Sequence, residues 1–155
     1  MTAVSGLLVA IDLATRQRDG AAMVVAQVVR RFEHARQQLE QLQSYAADTA
    51  GRWSVASQAS ATPQIVGHYY QFMERLEQTI DMQQAAMAGV QRQREAAQQV
   101  LLEIEIRMAG LTRLLDKRRS EMARTHAMRE QRQSDELAAL MHRRMATARE
   151  NRGNS

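Results

Sequence analysis

The sequence has one dominant feature: an apolar residue returns every three or four positions from Val4 to Trp53. Thirteen of the fifteen positions in this series are apolar, and Arg18 and Thr49 are the exceptions. The spacing persists for about seven heptads, which is longer than one amphipathic helix needs and is typical of a coiled-coil seam. The members are Val4, Leu7, Ile11, Ala14, Arg18, Ala21, Val25, Val28, Phe32, Ala35, Leu39, Leu42, Ala46, Thr49 and Trp53.

A second series with the same spacing runs from Tyr69 to Met122 and is interrupted by Gln83, Arg94 and Arg118. Ala, Gln, Arg, Glu and Met are abundant throughout, and these residues favour helices. No stretch alternates with period two, so strands are not expected. The members are Tyr69, Met73, Leu76, Ile80, Gln83, Met87, Val90, Arg94, Ala97, Leu101, Ile104, Met108, Leu111, Leu115, Arg118 and Met122.

The segment between the two seams, residues 51–63, predicts a loop. Gly51 is placed to end the first helix, because glycine tolerates the left-handed conformation of a C-terminal cap. Thr62 and Pro63 predict the start of the second helix, with threonine as the N-cap and proline at the first helical position. The alternative, one unbroken helix, is disfavoured by Pro63 and by the small polar residues around it.

Two seams joined by a short loop predict an all-α fold, a long antiparallel two-helix coiled-coil hairpin. We expect the hairpin to span residues 1–122, with helices over 4–50 and 64–122. Residues 123–155 then lack a partner in the first helix and form an extended, basic C-terminal helical arm. Because helices draw most of their stability from packing an apolar face, we expect this arm to be partly disordered without a partner.

Charge is distributed unevenly along the chain, whose net charge is +4. Residues 113–155 contain eleven Lys and Arg and six Asp and Glu, whereas residues 1–112 contain ten and eleven. A basic arm could bind nucleic acid through phosphates, which keeps a nucleic-acid-binding coiled coil open as an alternative. Acidic residues interrupt the basic ones throughout, however, so we expect an exposed helix face and no nucleic acid.

The sequence contains no arrangement of residues that is typical of an active site. The four histidines are not spaced as metal ligands on a helix, no glycine-rich phosphate loop occurs, and cysteine is absent. We therefore expect no enzyme, no cofactor, no metal and no small-molecule substrate. The early apolar run "GLLVAIDLA" is too short to span a bilayer and lacks the layout of a signal peptide, so we expect a cytoplasmic protein.

Half of the six aromatic residues lie within four positions, at Tyr69, Tyr70 and Phe72. Tyr69 falls on the second seam, and we expect its ring to pack against Trp53 near the loop. Tyr70 and Tyr45 fall off their seams and Phe72 lies at the border of its seam. Exposed aromatic side chains beside a core are typical of protein-docking surfaces.

Two stretches carry a resemblance to a known family. "LLVAIDLATRQRDGAA", residues 7–22, resembles the start of the flagellar type III export protein FliJ, and "YYQFMERLEQTI" resembles the aromatic opening of that family's second helix. Chain length, the two-helix layout and the basic C-terminal arm agree. Gly20 and Gly89 depart from the charged or alanine-like residues expected there.

The resemblance implies a non-catalytic coiled coil similar to the stalk of rotary ATPases. Such a protein would bind and regulate the FliI-like export ATPase hexamer at the cytoplasmic face of the inner membrane. It would also contact the FlhA-like membrane protein of the export gate and export chaperones. The injectisome counterpart of this stalk shares the same layout and stays open as an alternative. The expected partner-binding residues are Leu7, Ile11, Tyr45, Tyr70, Phe72, Arg124, Arg129, Arg132, Arg143 and Arg144.

Overall fold

The computed structural model describes residues 2–154, and within this range it contains two α-helices and no strand. Helix α1 spans Ala3–Ala59 and has 57 residues, and helix α2 spans Pro63–Gly153 and has 91 residues. The predicted all-α, two-helix hairpin is confirmed. The segment predicted as a C-terminal arm continues α2 without a break as far as Gly153. Its division from the hairpin as a separate part of the chain stays a prediction.

Threonine side chains cap the first turn of both helices. The hydroxyl oxygen of Thr2 accepts a hydrogen bond from the Ser5 backbone N–H at 3.2 Å, and that of Thr62 accepts one from Ile65 at 3.3 Å. Each bond satisfies one of the backbone N–H groups that the first helical turn leaves unpaired. Since α2 begins at Pro63, the predicted pair of threonine cap and first-position proline is confirmed.

The predicted loop over 51–63 is wrong in its extent, because α1 continues to Ala59 and only residues 60–62 separate the helices. Gly51 lies inside α1, and no glycine among the described residues has a positive φ. The helix is held past Gly51 by Trp53, whose ring stacks on Tyr69 of α2 with centroids 4.3 Å apart and planes 7° from parallel. Such an aromatic pair contributes about 0.5–1.5 kcal/mol beyond its buried area, which is comparable with the cost of glycine in a helix, about 1 kcal/mol.

The chain divides into two compact units, each containing a segment of both helices. The loop unit is Ala14–Ile106, and the described part of the terminal unit is 2–13 together with 107–154. In the loop unit, Trp53 contacts Tyr69 close to the loop, and Phe32 contacts Arg94 farther from the loop. Residue numbers fall on α1 as they rise on α2, so the two segments are antiparallel.

The seam predicted on α1 is the side of the helix that is removed from solvent. All fifteen predicted positions are buried or half-buried, including the polar Arg18 and Thr49. Full burial is confined to small or compact side chains, as at Ala14, Val28 and Ala35. Two helices can cover only one stripe of each other, so most seam residues keep an exposed edge.

The seam predicted on α2 is confirmed from Tyr69 to Leu115 and is wrong beyond that residue. Leu76 and Leu115 are buried, whereas Arg118 and Met122 are exposed, the latter to 56%. The apolar spacing on α2 therefore continues for two positions past the buried stripe. Every described residue from 116 onward is exposed.

Two polar residues of the α2 seam are accommodated by specific contacts with α1. The Gln83 side-chain amide donates to the Ala35 carbonyl at 3.0 Å and to the Gln38 side-chain oxygen at 3.3 Å. The Arg94 guanidinium lies 4.4 Å from the centre of the Phe32 ring, a cation–π contact. Polar seam residues lower stability and favour one register, since sliding the helices would break these contacts.

Candidate partner-docking surfaces

The last part of α2 presents a basic surface to solvent. The predicted partner-binding residues Arg124, Arg129, Arg132, Arg143 and Arg144 are all exposed. Among the described residues, none of the five forms an ion pair. Their guanidinium groups are therefore open to an external carboxylate, which arginine can bind with two parallel hydrogen bonds.

These five arginines do not share one face of the helix. Arg129 and Arg132 lie together and line one shallow groove with Thr125 and Met128. Arg143 follows Arg132 by eleven residues, which is close to three helical turns, so both project to the same side. Arg124 and Arg144 project in other directions, and the predicted set is therefore divided.

Leu7 and Ile11, predicted to assist at the base of the arm, are half-buried positions of the α1 seam. The surface beside them in the terminal unit is instead formed by Leu8, Val9 and Leu13, which are 44%, 66% and 57% exposed. Sequence reasoning missed these three residues. The signal was present, because the run "GLLVAIDL" contains more apolar residues than one seam can use.

An open groove of about 500 Å³ marks the point where α1 begins against α2 in the terminal unit. The first residues of α1 form one wall, and the opposite wall carries Arg118, Met122 and Arg129. Glu121 and His126 line the same groove. Its lining combines apolar and charged side chains in an open groove, which suits protein docking better than small-molecule chemistry.

Aromatic residues near the loop form a half-exposed cluster in the loop unit. Tyr69 stacks on Trp53 as predicted, and its neighbour Tyr70 meets it edge-on at 5.5 Å while remaining 63% exposed. Phe72, 40% exposed, contacts Tyr45 edge-on at 6.1 Å. The structure thus gathers Tyr45, Tyr70 and Phe72 near one end of the hairpin seam. Their role in binding stays a prediction.

Ionisable groups on the described surface pair locally along the helices. Arg36 bonds to both Glu33 and Glu40, one turn before and one turn after it. His126 and Glu130, which are one turn apart on α2, lie 3.5 Å apart. Within the described residues no group of three or more His, Asp or Glu is placed to hold a metal ion. None of the described helices is both long and apolar enough to cross a bilayer.

Two antiparallel helices with a single buried stripe define a coiled-coil protein that exposes large apolar and basic faces. A family model described as "Flagellar FliJ protein" matches residues 7–147. This match covers most of the chain, and the chain belongs to the flagellar FliJ family. The resemblance read from the two quoted stretches is confirmed. No curated protein and no solved structure matches the chain significantly.

Membership in this family makes the chain a component of flagellar protein export. The family description names the flagellar system and not the injectisome.

Proposed function

We propose that this chain is a non-enzymatic, stalk-like component of the flagellar export apparatus that binds and regulates the export ATPase. It also contacts the membrane protein of the export gate and export chaperones, at the cytoplasmic face of the inner membrane. One observation carries the proposal: α2 continues as an unbroken helix through Gly153 although every described residue from 116 onward is exposed. A helix of this length with no covered face is stabilised by a partner more readily than by its own propensity.

Charge and apolar side chains on this segment support a protein partner. The arginines are unpaired within the described residues, and Leu137, Leu140, Met141 and Met145 are 49–66% exposed. Arginine and methionine are both enriched at protein interfaces, arginine for bidentate contacts and methionine for its adaptable shape. Basic charge on the segment would also speed encounter with a partner surface that carries acidic residues, and would orient the docking.

The aromatic cluster supports a second docking site, for the export gate. Tyr45, Tyr70 and Phe72 can bury large areas while losing few rotatable bonds, which is the property of interface hot spots. The Phe72 ring contacts Tyr45 and the Tyr70 ring contacts Tyr69, and these contacts hold the rings in place before binding. A pre-ordered surface loses less entropy on association than a mobile one.

Deletion of residues 123–155 tests the ATPase site. The shortened protein should keep its thermal unfolding transition, because no buried residue is removed. Its affinity for the purified export ATPase, and any stimulation of ATP hydrolysis, should fall sharply. Undiminished binding would assign the segment to a solvated tail and refute the proposal.

A matched pair of charge variants separates specific docking from net charge. Arg129→Gln, Arg132→Gln and Arg143→Gln together remove three charges from one side of the proposed surface. The control, Arg52→Gln, Arg75→Gln and Arg92→Gln, removes the same charge from exposed positions in the loop unit. Binding that weakens equally in both variants would indicate nonspecific attraction. A loss confined to the first variant supports the site.

A further inference from the structure

The exposed end of α2 has a net positive charge, but its acidic and basic residues are separated along the helix. Residues 130–136 contain three carboxylates and one arginine, residues 137–142 contain no charged Asp, Glu, Lys or Arg, and residues 143–152 contain four arginines and one glutamate. The order along the helix is therefore acidic, apolar and basic. Two copies of such a segment attract each other when antiparallel, and repel when parallel.

We propose that the end of α2 pairs antiparallel with the same segment of a second copy of this chain, with Met141 at the symmetry axis. A two-fold interface uses the same residues on both copies, so each contact occurs twice, once in each direction between the two copies. In this register Leu137 faces Met145 of the second copy, and Met141 faces its own equivalent. These three side chains are 61%, 66% and 65% exposed in the single chain.

The side chains that flank this apolar centre are complementary in the same register. Glu130 faces Arg152 of the second copy, and Asp135 lies near its Arg149. Within the single chain, the Glu130 carboxylate lies 3.5 Å from His126, and the Asp135 carboxylate accepts a hydrogen bond from the Gln131 side-chain amide at 3.2 Å. Arg149 and Arg152 form no ion pair among the described residues. Both signs are thus available for contacts with a second chain.

Helical spacing places the residues of the proposed contact between the two copies on one side of α2. Ser134, Met141 and Ala148 are one heptad apart, and Leu137 and Met145 are four residues to either side of the centre. Such a stripe of small and medium side chains suits close packing of two helices. Leu140 lies at the edge of the stripe, where its exposed side chain can cover the contact.

The length available matches this pairing. Residue 129 of one copy faces residue 153 of the other, so the paired region ends where the groove at the start of α1 begins. That groove is lined by residues 2–4 and by α2 positions no later than Arg129. The second copy therefore occupies the part of α2 that α1 does not reach. An interface of one helix pair is small, and we expect dimerisation at about 10–100 µM.

Sedimentation equilibrium of the full chain is the first test. The expected result is a monomer–dimer equilibrium that weakens as salt is raised. Reversing the acidic side with Glu130→Arg and Asp135→Arg should weaken self-association at least tenfold. So should reversing the basic side with Arg149→Glu and Arg152→Glu. An equimolar mixture of the two variants should regain a dimer, since each then carries the charges that the other lacks.

The control for these variants is Asp116→Arg with Glu121→Arg. It makes the same charge change at exposed positions of α2 that lie outside the paired region. A monomeric full chain at every concentration would overturn the proposal. So would a control variant that loses as much association as the acidic-side variant, or a mixture that stays monomeric.

Orientation can be tested directly, because the chain contains no cysteine. Ser134→Cys and Ala148→Cys lie at equal distances from Met141 on opposite sides. In the antiparallel pair a mixture of the two variants should form a mixed disulfide under mild oxidation, while neither variant alone should crosslink. Crosslinking of each variant with itself, and not with the other, would indicate a parallel pair and refute the inference. Neither sedimentation nor crosslinking uses the export ATPase, so the results of both experiments are independent of the proposed ATPase site.

Discussion

The buried stripe of α2 makes a quantitative prediction at Leu76. This side chain is 8% exposed and belongs to the seam in the loop unit. Leu76→Ala removes three carbon atoms from the contact between the helices, which at about 0.8 kcal/mol for each gives about 2–3 kcal/mol of lost stability. Measured costs of Leu→Ala in protein cores, about 2–5 kcal/mol, overlap this figure. The lower end is expected, because water can enter a seam that solvent borders on both sides.

A matched control is provided by Leu102→Ala, which makes the same chemical change on the same helix and in the same unit. Leu102 is 48% exposed, so it loses about half of the same transfer free energy, about 1 kcal/mol. Both substitutions introduce alanine into a helix and change helix propensity equally. The difference between the two variants therefore isolates burial in the seam.

Urea denaturation followed by circular dichroism measures both free energies of unfolding. In thermal unfolding, a chain of this size should lose about 5–10 °C for Leu76→Ala. Equal losses in the two variants would refute the assignment of Leu76 to the buried stripe. A change in the urea dependence of the unfolding free energy would show instead that the substitution had altered the compactness of the unfolded or folded state, or that unfolding had ceased to be a single transition.

Three further predictions concern single positions. Tyr45→Ala and Tyr70→Ala should each lower the free energy of unfolding by less than about 1 kcal/mol, because both rings are largely exposed. Both substitutions should nevertheless weaken binding to the export-gate protein in a pull-down titration, and a large fall in melting temperature would place the ring in the core. Gln83→Leu should raise the melting temperature, since it exchanges a half-buried amide for an apolar side chain of similar length. An unchanged or lower melting temperature would show that the hydrogen bonds of the amide stabilise the fold more than burial of the leucine side chain does. The Arg36 hydrogen bond holds the pKa of Glu33 below its ordinary value of 4.5, so the pair stabilises the fold at neutral pH, and this contribution is lost as the pH falls through the lowered pKa. When the free energy of unfolding is measured in urea at a series of pH values across that range, Glu33→Gln should show a smaller loss of stability than the unchanged chain. An identical loss would refute the assignment.

The seams were predictable because their cause is local and repeats. An apolar residue every 3.5 positions lies on one side of a helix whatever it packs against, so the spacing alone identified the covered side of α1 from Val4 to Trp53. Thr62 and Pro63 were equally predictable, since the cap and the fixed φ of proline act within one turn. These parts of the fold depend on neighbours in the sequence.

The features that were mispredicted depend on contacts between the helices. Gly51 reads as a helix end, but the stacking of Trp53 on Tyr69 keeps α1 helical for another turn and more. The buried stripe of α2 ends at Leu115, although apolar spacing continues to Met122. The spacing shows which side of α2 could be covered, and only the position of α1 decides how much of it is covered.

The candidate docking residues divide in the same way. Tyr45 and Tyr70 lie off their seams, and the structure exposes both. Leu7 and Ile11 are seam positions and are half-buried, which their place in the apolar series already indicated. Whether any of these residues binds a partner depends on a second molecule, and no pattern within one chain determines that.

The unequal lengths of the two helices connect the fold to the proposed roles of the chain. α1 has 57 residues and α2 has 91, so a hairpin that pairs all of α1 must leave the end of α2 without an intramolecular partner. The exposed end has enough apolar side chains to pack against one helix, and it has unpaired charges of both signs. If a second copy and the export ATPase bind this same surface, each must displace the other. Raising the concentration of the chain would then lower the fraction available to the ATPase, and the charge variants that abolish pairing would remove that effect.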